Sequence, residues 1–168
     1  MAGSIVLIGF MGSGKSTIGR ALAQRLGFAF VDTDEIVAAR AGMPIPEIFR
    51  REGEAGFRKH EAEVVAEVAR LERHVVATGG GAPTVPESAK ALKEAGTVVH
   101  LDVDLETARL RTRRHAHRRP LLRDLDDDGL ATLLATRRAL YERVADLTIQ
   151  TAGKDGSAVV QEILEAIG

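Results

Sequence analysis

Gly9-Phe10-Met11-Gly12-Ser13-Gly14-Lys15-Ser16 fits the spacing G-x-x-x-x-G-K-[ST]. This is the phosphate-binding P-loop pattern, and it points to a nucleoside triphosphate bound with Mg²⁺. Glycines at these positions let the backbone turn tightly, so that several N–H groups converge on one phosphate. Lys15 would reach the β- and γ-phosphates, and the Ser16 hydroxyl would ligate the metal. The motif needs a strand before it and a helix after it. Ser4-Ile5-Val6-Leu7-Ile8 reads as a short buried strand, and 16–26 reads as a helix whose positive N-terminal end faces the phosphates.

A second chemically suggestive segment is Val31-Asp32-Thr33-Asp34. Two carboxylates two residues apart at a strand end can share one side. Asp32 would hold Mg²⁺ through water, because Mg²⁺ keeps much of its hydration shell. Asp34 would face an acceptor and take or orient its hydroxyl proton. The alternative is structural: Asp32 or Thr33 caps the next helix and Asp34 enriches its first turn.

Two further segments carry acceptor chemistry. Arg58 and Glu61, three apart on a helix, share a face, so Glu61 could brace the planar Arg58 fork for a carboxylate. A solvated surface ion pair is the competing account. Val75-Val76-Ala77-Thr78 runs into Gly79-Gly80-Gly81, and three successive glycines suit close approach of the backbone to a small polar ligand better than a plain turn does.

Seven arginines lie between Arg109 and Arg123, with His115 and His117 among them. A basic patch can bind nucleic acid, but no aromatics are interleaved here, and Asp124, Asp126, Asp127 and Asp128 follow. A lid over the phosphates is the second reading, with Arg119 as an arginine finger supplied in cis and Arg111 stacked on the adenine. A solvated helix face accounts for Arg109, Arg113, Arg114 and Arg123. His60, His74 and His100 carry no stronger signal.

These segments need a scaffold that brings them together. Short apolar runs at 5–8, 28–31, 75–78, 97–101 and 147–150 alternate with helical stretches at 16–26, 34–41, 54–71, 86–95, 105–113, 130–145 and 157–167. Such alternation implies a parallel sheet with helices on both faces. Ligands then bind beyond the carboxyl ends of the strands, where Gly9, Asp32 and Gly79 all fall. The 168 residues suit one domain. Charge is nearly balanced, with 23 Lys and Arg against 24 Asp and Glu, so the surface as a whole is not built for nucleic acid. There is no cysteine, which excludes disulfides and thiolate chemistry. No apolar run approaches the ~20 residues that span a bilayer, and no signal-peptide pattern opens the chain. A cytoplasmic protein is the expectation.

Taken in order, GFMGSGKST, DTD at 32–34, FRKHE at 57–61, ATGGG at 77–81, RRPLL at 118–122 and RRALY at 137–141 resemble the shikimate kinases, from the first strand to about Val144. The resemblance implies a three-layer α/β/α P-loop fold of the nucleoside-monophosphate-kinase type, with five parallel strands ordered 2-3-1-4-5. It implies transfer of the ATP γ-phosphoryl group to the 3-hydroxyl of shikimate, a step of chorismate and aromatic amino-acid biosynthesis. The catalytic residues would be Lys15, Asp34 and Arg119. Nucleotide would be held by Gly12, Ser13, Gly14, Lys15, Ser16, Thr17, Arg111 and Arg119. Shikimate would be held by Asp34, Arg58, Gly79, Gly80, Gly81 and Arg137, and Mg²⁺ by Ser16 and Asp32. Arg137 enters through the resemblance alone. The run ending at Thr78 lacks the terminal Asp of many P-loop proteins, which leaves the metal role to Asp32. The whole chain, 1–168, is expected to form one kinase domain, with an acceptor segment at about 32–61 and a lid at about 112–124. Its partners would be ATP and shikimate, with no nucleic acid and no membrane, and it would act as a monomer. Rival readings are another small-molecule kinase, such as one for gluconate, and a GTP-dependent switch. The switch would need an N-K-x-D guanine-reading motif, which is absent.

Overall fold

The central strand β1 (Ser4–Ile8) is wholly buried, and its alternate side chains enter two different cores. Val6 and Ile8 face one side, Ile5 and Leu7 the other, as the two-residue period of a strand requires. A strand apolar on both faces must be covered on both, and here it is. The computed structural model describes residues 3–114 and 125–168.

Around β1 the chain adds α1 (Lys15–Leu26), β2 (Ala29–Asp32), α2 (Thr33–Ala41), α3 (Ile45–Val68) and β3 (His74–Ala77). A short 3₁₀ turn (Ala82–Thr84) then leads into α4 (Pro86–Ala95) and β4 (Gly96–Asp102). Next come α5 (Leu105–Arg114), α6 (Asp127–Val144), β5 (Leu147–Gln150) and α7 (Gly156–Ile167). The five-stranded sheet runs in the order β2-β3-β1-β4-β5, and every pairing is parallel. This is the expected 2-3-1-4-5 order.

One face of the sheet is covered by α1 and α7 through Ile18, Leu22, Val159 and Ile163. The other face packs α3, α4 and α6 through Val64, Val65, Leu92, Leu134 and Tyr141. Burial of such side chains stabilises the fold by roughly 1.5–3 kcal/mol each. Because all strands are parallel, their carboxyl ends emerge on one edge, and the loops after them share one cleft.

One boundary departs from expectation. α3 begins at Ile45, nine residues before the predicted start at 54. Pro46 stands in its first turn, where a missing N–H costs nothing and the fixed φ suits a helix. Gly53, with φ 73° and ψ −177°, interrupts the helix. Gly53 therefore divides two helical arms instead of preceding a single one. The lid predicted at 112–124 falls mostly outside the described residues, as do Arg119, His115 and His117.

Candidate active site

Nucleotide chemistry is laid out at the end of β1. Gly12 and Gly14 have φ of 80° and 89°, a backbone hand that glycine adopts readily. Gly14 is the N-cap of α1, so Lys15 and Ser16 occupy its first turn. The Lys15 ammonium donates to the carbonyls of Gly9 (2.7 Å) and Phe10 (3.0 Å). A cavity of about 480 Å³ lies along this loop, bounded by 12–17, Asp32, Asp34, Thr78 and Gly80. Arg111, Arg114, Thr151, Lys154 and Val159 also line it.

Asp32 serves two purposes with its two oxygens. Oδ1 accepts from the N–H groups of Asp34 (2.9 Å) and Glu35 (3.3 Å), capping α2. Oδ2 accepts from the Ser16 hydroxyl at 2.5 Å. The cap and the P-loop contact thus coexist in one side chain. Ser16 and Asp32 together present hard oxygen donors beside the phosphate loop, a set that suits Mg²⁺. Thr33 is not the cap. It is buried, and its hydroxyl accepts from the Gly79 N–H at 3.0 Å, tying α2 to the loop after β3.

That loop is the floor of a second compartment. Gly79, Gly80 and Gly81 are absent from the positive-φ residues, so backbone hand does not explain them. Space does. A Cβ at 79 would stand 2.6 Å from Asp34 Oδ1 and 2.7 Å from Glu61 Oε2. A Cβ at 80 would stand 3.2 Å from Arg137 Nη1, and one at 81 would enter the Arg58 guanidinium. The three glycines therefore admit the side chains Asp34, Arg137 and Arg58 over one strip of bare backbone.

Arg58 donates to Glu61 Oε1 at 2.7 Å. The Glu61 side chain is only 2% exposed, which rules out the solvated ion pair. Burial is the main cause raising its pKa, opposed by Arg58 and Arg137. Arg137 on α6 is also buried, with Nη1 lacking a hydrogen-bond partner. Two guanidinium groups from separate helices thus approach the glycine strip, which suits a bound anion.

Several supporting residues show their contacts only once the chain is packed. Tyr141 is fully buried, and its hydroxyl donates to the Gly80 carbonyl at 2.6 Å. Burial pushes the Tyr141 phenol up to about 12, so it remains a donor. His100 on β4 pairs with Ile8 at the end of β1, and its ring centroid lies 5.1 Å from that of Tyr141. Burial lowers its pKa to about 4. Arg111 donates to the Gly12 carbonyl and lies across the phosphate loop. Arg114 is exposed as expected, yet it also lines the cavity. Spacing alone could not have found Thr151 and Lys154, which reach the cavity from the loop after β5.

A parallel sheet with a P-loop after its central strand, opening beside a compartment that two guanidinium groups approach, defines a P-loop kinase. The family model for shikimate kinase matches residues 11–168. The chain is 50% identical over 167 residues to a shikimate kinase of Moorella thermoacetica, covering 99% of this chain and 95% of the relative. It is 48% identical over 166 residues to one of Symbiobacterium thermophilum, covering 98% and 95%. Among solved structures it resembles the shikimate kinase of Acinetobacter baumannii in complex with shikimate. That match has a TM-score of 0.93 and 41% identity, over 98% of this chain and 92% of the other. A shikimate kinase from Aquifex aeolicus matches with a TM-score of 0.86 and 40% identity, over 98% and 95%. The chain belongs to the shikimate kinase family.

Proposed function

We propose that this chain transfers the γ-phosphoryl group of ATP to the 3-hydroxyl of shikimate, giving shikimate 3-phosphate and ADP on the route to chorismate and the aromatic amino acids. The observation that carries the reading is the glycine strip at 79–81. It brings Asp34, Arg58 and Arg137 together beside a cavity that reaches the P-loop.

Phosphoryl transfer asks a protein mainly for positioning and charge stabilisation. The N–H groups of 12–17 cradle the phosphates, and Lys15 exchanges its carbonyl partners for phosphate oxygens. Arg58, braced by Glu61, and Arg137 clamp the acceptor carboxylate. Asp34 sits between this clamp and the phosphate cavity, where it orients the hydroxyl and takes its proton. Ser16 and Asp32 would hold Mg²⁺, and the ion would supply charge neutralisation at the phosphates. The adenine lies toward Arg111, near the loop after β5. Arg119, outside the described residues, stabilises charge on the group in flight.

Every residue in this scheme comes from one chain, so a monomer suffices. Among the described residues no helix is long and apolar enough to cross a membrane. We place the enzyme in the cytoplasm, where ATP is supplied.

Coupled ADP release with Mg·ATP tests the assignment, comparing shikimate with gluconate, a nucleoside monophosphate and no acceptor. Shikimate-dependent turnover far above the others is expected. ATP binding without it would keep the P-loop and remove the acceptor.

A further inference from the structure

Arg138 follows Arg137 on α6 but points elsewhere. Its Nε donates to Asp102 Oδ1 at 2.9 Å, and its Nη2 donates to the Val103 carbonyl at 2.9 Å. Asp102 is the last residue of β4 and is largely buried. The same residue anchors the nucleotide side, because its carbonyl accepts from the Thr151 hydroxyl (2.7 Å) and the Thr151 N–H (3.0 Å). Thr151 lines the nucleotide cavity. The end of β4 also touches the P-loop, since a Cβ on Gly9 would stand 2.6 Å from the Leu101 carbonyl. The strand end that shapes the nucleotide cavity is therefore bolted to the helix that carries Arg137.

We propose that Arg138 is a positioning residue: its two-point grip on Asp102 and Val103 fixes α6, and so registers the acceptor held by Arg137 against the phosphate loop. This rests on the reading of Arg137 as an acceptor contact. α6 has a second tether, Tyr141 to the Gly80 carbonyl, on the acceptor side of the cleft. The Arg138 grip is a mid-helix tether on the nucleotide side, where the first residue of α6, Asp127, also pairs with Arg109 and Arg113 of α5. A fork that donates through two nitrogens in one plane resists both sliding and rotation, which a single ammonium cannot do. In-line transfer is sensitive to displacements near 1 Å, so loosening this tether should act on alignment more than on either binding event.

The test compares Arg138→Met, which keeps the stem and removes the fork, with Asp102→Ala, Asp102→Asn and the Arg138→Met/Asp102→Ala double variant. Arg138→Met should lower kcat/KM for shikimate about tenfold or more while ATP affinity without acceptor stays within about twofold. Asp102→Ala should match it, and the double variant should be no worse than either single change. Asp102→Asn keeps an acceptor oxygen and should recover most of the activity. Arg138→Lys should fall between, and it replaces Arg138→Met if the latter does not fold. Wild-type shikimate kcat/KM in Arg138→Met overturns the proposal. So does an equal weakening of both substrates with a lowered melting temperature, or additive losses in the double variant. Arg137→Met is measured alongside: an unchanged shikimate kcat/KM there removes the acceptor reading of Arg137 and leaves the Arg138 result to be judged on its own.

Discussion

Asp32 stands 2.5 Å from the Ser16 hydroxyl through one oxygen while its other oxygen caps α2. The two halves of this carboxylate can be separated by mutation. Asp32→Asn retains a carbonyl oxygen for the cap but loses the charge beside Ser16. Stability should change by less than about 1 kcal/mol. The Mg²⁺ concentration for half-maximal rate should rise on the order of tenfold. Metal titrations of activity, set beside urea unfolding, check both. A large stability loss with an unchanged Mg²⁺ requirement would reduce Asp32 to a helix cap.

Asp34 stands in the first turn of α2 and lies against Gly79, at the junction of the two compartments. Asp34→Asn should keep ATP affinity while kcat falls by about 10² to 10⁴, the usual share of a general base. Steady-state rates with a parallel ATP titration measure it. Near-normal turnover would remove Asp34 from proton transfer.

Gly81 is held at φ −91° and ψ −13°, where alanine is comfortable. Its lack of a side chain matters only because Arg58 occupies the space. Gly81→Ala should therefore displace Arg58 and raise the shikimate KM about tenfold, as should Arg58→Lys, each losing a charge-assisted contact. The ATP KM should not move. An unaltered shikimate KM in both variants would be evidence against the clamp.

His100 predicts an acid limit on stability. Its folded pKa of about 4, set first by burial, lies below the ordinary 6.5. The unfolded chain thus binds a proton that the folded one refuses between these values. Stability from this group is intact above pH 6.5 and falls as the pH drops toward 4, by about 2 kcal/mol at pH 5. His100→Gln should flatten that part of the profile relative to the parent. Urea unfolding at pH 7.5 and pH 5 gives the comparison, and identical slopes for the two proteins would show that His100 does not titrate in this range.

Local patterns made the scaffold readable. Ile5 to Ile8 and the P-loop form a contiguous signature, and alternation of strands and helices implied the sheet. Asp32 and Asp34 could be read because a strand end precedes them. Arg137 could not, since its meaning lies in Gly80, far away in sequence and adjacent only after α6 packs. Arg138, Tyr141 and His100 were silent for the same reason: each partner is supplied by another element of the fold. The early start of α3 was hidden because Pro44 and Pro46 resemble breakers, whereas Pro46 initiates. The glycine run at 79–81 suggests backbone reach from sequence alone; the packed chain adds that a Cβ at these positions would meet Asp34, Arg137 and Arg58, partners that no local pattern reveals.

The bend at Gly53 has a mirror-image consequence. At φ 73° and ψ −177° the residue is forbidden ground for an L-amino acid, but inverted it is an ordinary extended conformation. No atom lies within 4 Å of where a side chain would be built on the L face. The empty L position means that crowding is not what excludes L-alanine; the backbone angles are, and they suit D-alanine, which, introduced by chemical ligation, should remove freedom from the unfolded chain and stabilise the protein by about 0.4–1 kcal/mol, whereas L-alanine should destabilise it. Opposite signs for the two enantiomers in thermal unfolding would show that what α3 requires at this point is handedness, not smallness.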